Sequence, residues 1–184
     1  MALQINKISP NMQSLTIFWD TDVFIDLISK REPFYLDAGA ILKITQESLD
    51  ITHMITTASI LNTIYVKKYT PNEYPYILDI LNTHFVVIEI PATTIYMNFN
   101  LKYKDFEDSV QYLTALYHQT DIILTRNIKH YKAIETKVLK KNIHKKFRNP
   151  ELKSKTKPAF PKIPLILTPN QLLKLLEDIV VNTL

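Results

Sequence analysis

The chain has 184 residues and a formal net charge of +4, and its length suits a single α/β domain with a buried core. It contains no cysteine, which excludes disulfides and thiolate metal sites and leads us to expect a cytoplasmic protein. The single glycine, Gly39, excludes glycine-rich phosphate loops, and no apolar run reaches the roughly 20 residues that cross a membrane, so we expect no membrane partner.

Short apolar runs alternate with amphipathic segments along the chain. In chain order, the patterns predict a strand at 15–19, helices at 23–28 and 34–46, a strand at 51–55, helices at 58–69 and 74–81, a strand at 84–90, helices at 91–98 and 105–118, strands at 121–125 and 164–167, and a last helix that begins at Pro169 with Thr168 as its cap. Strands that alternate with helices imply βαβ units. We therefore predict an α/β fold with a mostly parallel sheet, in one domain over residues 1–184.

Acidic and amide side chains stand at the ends of these elements. Asp20 ends the first predicted strand, and residues 125–127 end the fourth. Asp105 and Asp108 are three residues apart and share a flank of one helix, whereas Glu107 is expected to point elsewhere. Because an open parallel sheet gathers its functional groups at the carboxyl ends of its strands, we expect these acids to converge.

Three converging carboxylates, Asp20, Asp105 and Asp108, would form an oxygen-rich site for Mg²⁺ or Mn²⁺. A cation there offsets the repulsion between the acids, activates water and stabilises charge on a phosphodiester. The alternative is structural: Asp20 would cap the following helix, and Asp105 with Asp108 would complement a helix dipole. Each acid taken alone fits the structural interpretation, so the metal-site prediction rests on their joint placement.

Other ionisable residues are given no catalytic role at this stage. Asp26 and Asp37 have the spacing of helix-surface residues. The five histidines show no close ligand spacing, so a zinc site is not expected.

A basic segment occupies the last third of the chain. Residues 137–162 carry ten lysines and arginines against Glu151 alone, a net charge of +9 that leaves −5 for the rest of the chain. We expect about 133–162 to be an inserted mobile arm that contacts RNA phosphates. The alternatives are that it docks an acidic protein segment or is simply a solvated loop. The candidate RNA contacts are Lys140, Lys141, Lys145, Lys146 and Arg148, together with Arg126, for which a surface ion pair is the alternative.

Four segments in order carry a family resemblance. They are DTDVFIDL at 20–27 with REPF at 31–34, DFEDSVQ at 105–111, DIILTRN at 121–127 with His130 and Tyr131, and IPL at 163–165 with Thr168 and Pro169. They resemble the patterns DTNVxLDxLxxREPF, DFEDALQ, ADxIxTRNxxHF and IPVLTP of one branch of the PIN-domain family, which includes VapC-like toxins of toxin–antitoxin pairs. The resemblance covers about 15–131 and 163–176.

The resemblance implies a three-layer α/β/α sandwich with Mg²⁺- or Mn²⁺-dependent endoribonuclease activity. It makes Asp20 the first-strand acid, Asp108 the central helix acid and Asp105 an accessory acid. Thr125 and Asn127 then occupy the fourth-strand position, where the family uses Asp or Asn. An RNA substrate, an antitoxin protein and a homodimer are the implied partners.

Two positions depart from the family pattern. Asn62 stands where members often carry a glutamate, and Asp22 stands where asparagine is usual. Our leading interpretation is a metal-dependent RNA hydrolase with catalytic residues Asp20, Asn62, Asp105, Asp108, Thr125 and Asn127, the toxin of a toxin–antitoxin pair. The alternative is a catalytically degenerate PIN-fold module that binds RNA or protein, which Asn62 favours.

Overall fold

The computed structural model describes residues 15–48, 50–146 and 163–181. Its five strands form one parallel sheet in the order β3-β2-β1-β4-β5. The strands are β1 (Leu15–Trp19), β2 (Ile51–Thr56), β3 (Phe85–Ile88), β4 (Ile122–Leu124) and β5 (Leu165–Leu167). β2 and β4 lie on opposite sides of β1. After β1 the chain adds β2 and β3 towards one edge of the sheet, and it then crosses back to add β4 and β5 towards the other edge. The direction in which strands are added therefore reverses between β1 and β4. That reversal opens a crevice at the carboxyl ends of the two strands.

Eight α-helices connect and follow these strands within the described part of the chain. They are α1 (Thr21–Ile28), α2 (Phe34–Ser48), α3 (Thr57–Lys67), α4 (Tyr74–His84), α5 (Ala92–Leu101), α6 (Phe106–Tyr117), α7 (Ile128–Lys140) and α8 (Pro169–Val181), with a 3₁₀ turn at Ile143–Lys146. None of the helices in these ranges is long and apolar enough to cross a membrane.

Helices cover both faces of the sheet. Successive residues of a strand point to opposite faces, so Ile17 and Trp19 pack with α1, α2 and α8, whereas Phe18 packs with α5, α6 and α7. In β4, Ile123 joins Phe18 on the second face. Burial on both faces explains why the strands are nearly continuous apolar runs. The fold is therefore the predicted three-layer α/β/α sandwich.

The element predictions hold within a few residues, with differences at the ends. α1 begins at Thr21, two residues before the predicted start, and Pro91 is the N-cap of α5 and not its first residue. Thr168 caps α8 as predicted: its Oγ1 accepts a hydrogen bond from the Gln171 backbone N–H at 3.2 Å.

The prediction of a mobile basic arm over about 133–162 is wrong for its first residues. Residues 133–140 belong to α7, which buries Tyr131, Ile134 and Val138 against the sheet. These three residues are spaced by three and four and form a helical apolar stripe, so this segment packs despite its many lysines. Residues 147–162 lie outside the described residues.

Candidate active site

Asp20 and Thr125 meet at the carboxyl ends of β1 and β4. The Thr125 hydroxyl donates a hydrogen bond to Asp20 Oδ2 at 2.6 Å, and the Asp20 backbone N–H donates to the Leu124 carbonyl at 3.0 Å. Asp20 occupies the N-cap position of α1, yet its side chain makes no capping hydrogen bond. The carboxylate is therefore directed to the crevice between the strands and does not serve the helix.

Burial dominates the electrostatics of Asp20. Its side chain is only 3% exposed, and this burial, together with the negative charges of Asp108 and Asp22, raises its pKa to about 7. The hydrogen bond from Thr125 opposes part of that rise. Among the described residues, no lysine or arginine forms an ion pair with Asp20. A buried acid without a basic partner is characteristic of functional sites.

The N-terminus of α6 supplies two further acids. Asp105 is the N-cap, and its carboxylate accepts a hydrogen bond from the Asp108 backbone N–H at 3.1 Å. Asp105 thus has the capping role that the structural alternative had given to Asp20. Asp108 Oδ2 lies 3.3 Å from His130 Nδ1 and 3.5 Å from Asn127 Nδ2. Partial burial and the adjacent Asp105 charge raise the pKa of Asp108. Asp108 therefore faces the crevice between α6 and α7.

His130 completes a compact group with these acids. One side-chain ligand atom from each of Asp105, Asp108 and His130 lies within 4.8 Å of the other two. The sequence argument left His130 without a role because no second histidine has ligand spacing to it. The sequence held no local signal for this role, because His130 meets Asp108 only through the packing of α7 beside α6. The predicted trio of Asp20, Asp105 and Asp108 is therefore not the group observed: Asp20 is not a member of it, although its charge interacts with that of Asp108.

We had expected Glu107 to point away from the site, but it points towards α3. Its Oε1 accepts hydrogen bonds from Asn62 Nδ2 at 2.8 Å and from Gln111 Nε2 at 3.3 Å. Asn62 is the α3 residue at which the resemblance leads us to expect a glutamate. A carboxylate from a different helix thus occupies the neighbourhood of Asn62.

A chain of buried hydrogen bonds continues from Gln111, the second partner of Glu107. Gln111 Nε2 donates to the Thr21 hydroxyl at 2.7 Å, and Thr21 donates to Ser59 Oγ at 2.9 Å. Ser59 and Thr56 are hydrogen-bonded at 2.8 Å. These contacts join α1, α3 and α6, so the three helices hold a fixed relation around the crevice.

A sequence model of the PIN domain matches residues 16–129 of the chain, which is more than half of its length. The chain belongs to the PIN-domain family.

Two further comparisons give no match or a match of low identity. No curated protein matches the sequence. Among 11 matching chains of solved structures is one from the structure described as VapBC2 from Rickettsia felis bound to a DNA fragment from their promoter. Its identity to this PIN domain is 18%, with coverage of 65% of this chain and 92% of that chain and a TM-score of 0.48.

Arg126 of the PIN domain forms ion pairs and a ring contact with other residues of the protein. Its Nε lies 2.8 Å from Asp26 Oδ2, its Nη2 lies 3.3 Å from Asp22 Oδ2, and its guanidinium stacks on the Phe34 ring with Cζ 4.8 Å from the centroid. The ion-pair alternative is therefore the one observed. Asp26 is only 1% exposed, so our assignment of Asp26 to a helix surface was wrong. Arg31 approaches the same carboxylate at 3.5 Å.

The lysines proposed to bind RNA are in different situations. Lys141 Nζ donates to the carbonyls of Asn100 and Leu101 at 2.7 and 3.2 Å and so caps the end of α5. Lys140 and Lys145 are exposed. Lys146 ends the 3₁₀ turn, and Arg148 lies outside the described residues.

Proposed function

We propose that this PIN domain is a metal-dependent endoribonuclease that hydrolyses RNA phosphodiester bonds, and that it acts as the toxin of a toxin–antitoxin pair. The observation that carries the proposal is the buried Asp20 carboxyl, whose pKa is raised to about 7 beside Asp108 without a basic partner in the described ranges. Such a site costs stability when ionised, and a bound cation offsets that cost.

The donor atoms suit a hard divalent cation. Asp105 and Asp108 offer carboxylate oxygens, which Mg²⁺ and Mn²⁺ prefer, and His130 Nδ1 is close to both. We propose that Asp20, whose charge interacts with that of Asp108, adds a third carboxylate. A bound ion of this kind lowers the pKa of water and stabilises charge on a phosphodiester.

The protein's own groups have separable roles in this proposal. Thr125 fixes the orientation of Asp20 with its 2.6 Å hydrogen bond, and Asn127 orients Asp108 from the start of α7. Asn62 contributes no charge itself but holds Glu107, which returns a carboxylate to that side of the crevice. The loss of the family's glutamate at position 62 is thus compensated from α6, which supports an active enzyme.

The test is cleavage of labelled single-stranded RNA by the full chain with Mn²⁺ or Mg²⁺, with and without a chelator. The Asp108→Asn substitution should slow cleavage roughly 100-fold, equivalent to about 2.7 kcal/mol of activation free energy. Asp79→Asn makes the same chemical change on the exposed surface of α4 and should leave the rate unchanged. Cleavage that survives chelation, or that is equal in both variants, would contradict the proposal.

The second candidate is a PIN-fold module without catalytic activity that binds RNA or protein. Asn62 is the observation that favours it, because an amide brings no charge to a metal site. This candidate predicts RNA binding that is independent of the acids, together with no cleavage by the wild type under any metal condition.

The remaining proposals concern organisation and partners. We propose a cytoplasmic, single-domain protein over residues 1–184 that carries a basic segment at 137–162 of the sequence, with an antitoxin protein and a second copy of this chain as partners. A neighbouring reading frame that encodes a small chain with an acidic segment would support the antitoxin. Size determination in solution tests the homodimer.

A further inference from the structure

Two exposed aromatic rings lie beside the acids at the start of α6. Phe106 is the first residue of this helix and directly follows Asp105; it is 47% exposed, and Phe99 of α5 is 62% exposed. Their ring centroids are 5.4 Å apart with an interplanar angle of 52°. Tyr96, one turn before Phe99, is 68% exposed. We call Phe99 and Phe106 the aromatic pair.

The aromatic pair has a fixed position relative to the acids. The buried Asn98 side chain donates its Nδ2 hydrogen to the Phe106 carbonyl at 3.1 Å and so ties α5 to the N-terminus of α6. Asp105 and Asp108 belong to that same terminus. The first turn of α6 therefore carries Phe106, which faces α5, and Asp108, which faces the start of α7.

The surroundings of the aromatic pair contain both lysines and acids, since Asp105 and Glu107 flank Phe106 in the sequence. Lys102 and Lys104 are exposed in the connection between α5 and α6. On α7, Lys137 Nζ donates to the Lys102 carbonyl at 2.7 Å, which brings a further positive charge to the end of α5. Aromatic faces bordered by lysines suit a nucleic acid, because the bases stack and the phosphates meet positive charge. An apolar protein interface would instead require a core depleted in charged residues.

We infer that the aromatic pair is a stacking site for an unpaired nucleobase of the single-stranded RNA that the proposed acidic site would cut. This inference rests on the proposed function and deepens it, because it assigns a base-binding contact to residues outside the acidic group. A base within a duplex is already stacked on its neighbours and cannot use the rings. The rings accept any base, so the site selects unpaired structure over sequence.

The test measures RNA affinity in an Asp108→Asn background, in which cleavage is suppressed. The combined substitution Phe99→Ala and Phe106→Ala should weaken binding of short single-stranded RNA roughly 5- to 150-fold. Phe106→Leu keeps an apolar side chain without a π-face and should also weaken binding, whereas Phe106→Tyr should not. Tyr74→Ala removes an aromatic of similar exposure from α4 and serves as the matched control.

An abasic scan of the RNA identifies stacking directly. Removing one base should weaken binding to the parent protein at one position, and the same removal should have no effect once the aromatic pair is replaced. Phe106→Trp adds a fluorophore to a chain whose one tryptophan, Trp19, is fully buried, and RNA should quench the added emission. Equal affinities of the parent and the double-alanine protein overturn the inference. Lost dimerisation or lost binding of an antitoxin, with RNA affinity unchanged, also overturns it and assigns the rings to a protein contact.

Failure of the inference is distinguishable from failure of the proposed function. Metal-dependent RNA cleavage that does not depend on the aromatic pair leaves the function standing and removes the stacking site. Base-dependent binding to the rings without cleavage by the wild type removes the enzymatic function and leaves the stacking site.

Discussion

Replacing Asp20 by asparagine should make the metal-free protein more stable. The folded protein holds the pKa of Asp20 at about 7, against 3.8 for the ordinary side chain, because the carboxyl is buried beside Asp108. Folding therefore opposes ionisation of this acid. The cost is absent below pH 3.8, where both states are protonated, grows as the pH rises to 7, and is constant above it. Asparagine has nearly the same shape and cannot ionise, so it removes the cost.

The magnitude follows from the difference between the two pKa values. About three units at 1.36 kcal/mol each amount to roughly 4 kcal/mol above pH 7, which is the upper limit of the gain. At pH 5 most of the folded population is protonated at Asp20, and the gain falls to roughly 2 kcal/mol by the same linkage relation. The advantage of the variant should thus grow by about 2 to 3 kcal/mol from pH 5 to pH 8.

Denaturant unfolding of both proteins at pH 5, 6, 7 and 8 in the presence of a chelator measures this difference. Asp79→Asn is the matched control on the exposed face of α4 and should change stability by less than about 0.5 kcal/mol at every pH. Adding Mn²⁺ should stabilise the wild type and not the Asp20 variant. A variant no more stable than the wild type at pH 8, or an advantage that is equal at pH 5 and pH 8, would refute the reasoning.

Three further predictions concern other parts of the molecule. Glu107→Gln keeps the hydrogen bond from Asn62 but removes the charge, so kcat/KM for RNA should fall about 10- to 100-fold with an unchanged Tm. Arg126→Ala leaves the buried Asp26 with a weaker partner; the free energy of unfolding should fall by about 2 to 4 kcal/mol, while the salt dependence of RNA affinity stays the same. Burial and the nearby His84 lower the pKa of His53 to about 4. The contribution of neutral His53 to the free energy of unfolding is therefore complete above pH 6.5 and is lost as the pH falls towards 4. In a denaturant titration the loss should be about 3 kcal/mol relative to a His53→Gln protein.

The sheet and most helices could be predicted because their signals are local. A strand buried on both faces has to be apolar throughout, and Leu15–Trp19 shows this directly. Asp20 and Thr125 could be placed together because the carboxyl ends of neighbouring parallel strands share an edge. The prediction needed only β1 and β4 as neighbours, and the sheet order confirms that they are.

α7 was missed because composition hid its periodicity. Lysines exposed along the helix suggested a solvated arm, while the apolar stripe of Tyr131, Ile134 and Val138 was short of the usual number of apolar residues. Long lysine side chains are compatible with a packed helix, since only one face has to be buried.

Glu107 and His130 could not be assigned because their roles depend on how helices are rotated against each other. Residue spacing shows that Asp105 and Asp108 share a flank of α6, but not which neighbouring helix lies next to Glu107. That neighbour is α3, which brings Asn62 within 2.8 Å. His130 likewise meets Asp108 only because α7 packs beside α6.

Calorimetric titration with Mn²⁺ tests the central claim most directly. We expect the wild-type protein to bind Mn²⁺ and the protein with both Asp20→Asn and Asp108→Asn to show no binding, because the two substitutions remove the buried acid and its charged neighbour. Absence of Mn²⁺ binding by the folded wild-type protein, or equal binding by the doubly substituted one, would contradict the metal site and favour the non-catalytic module.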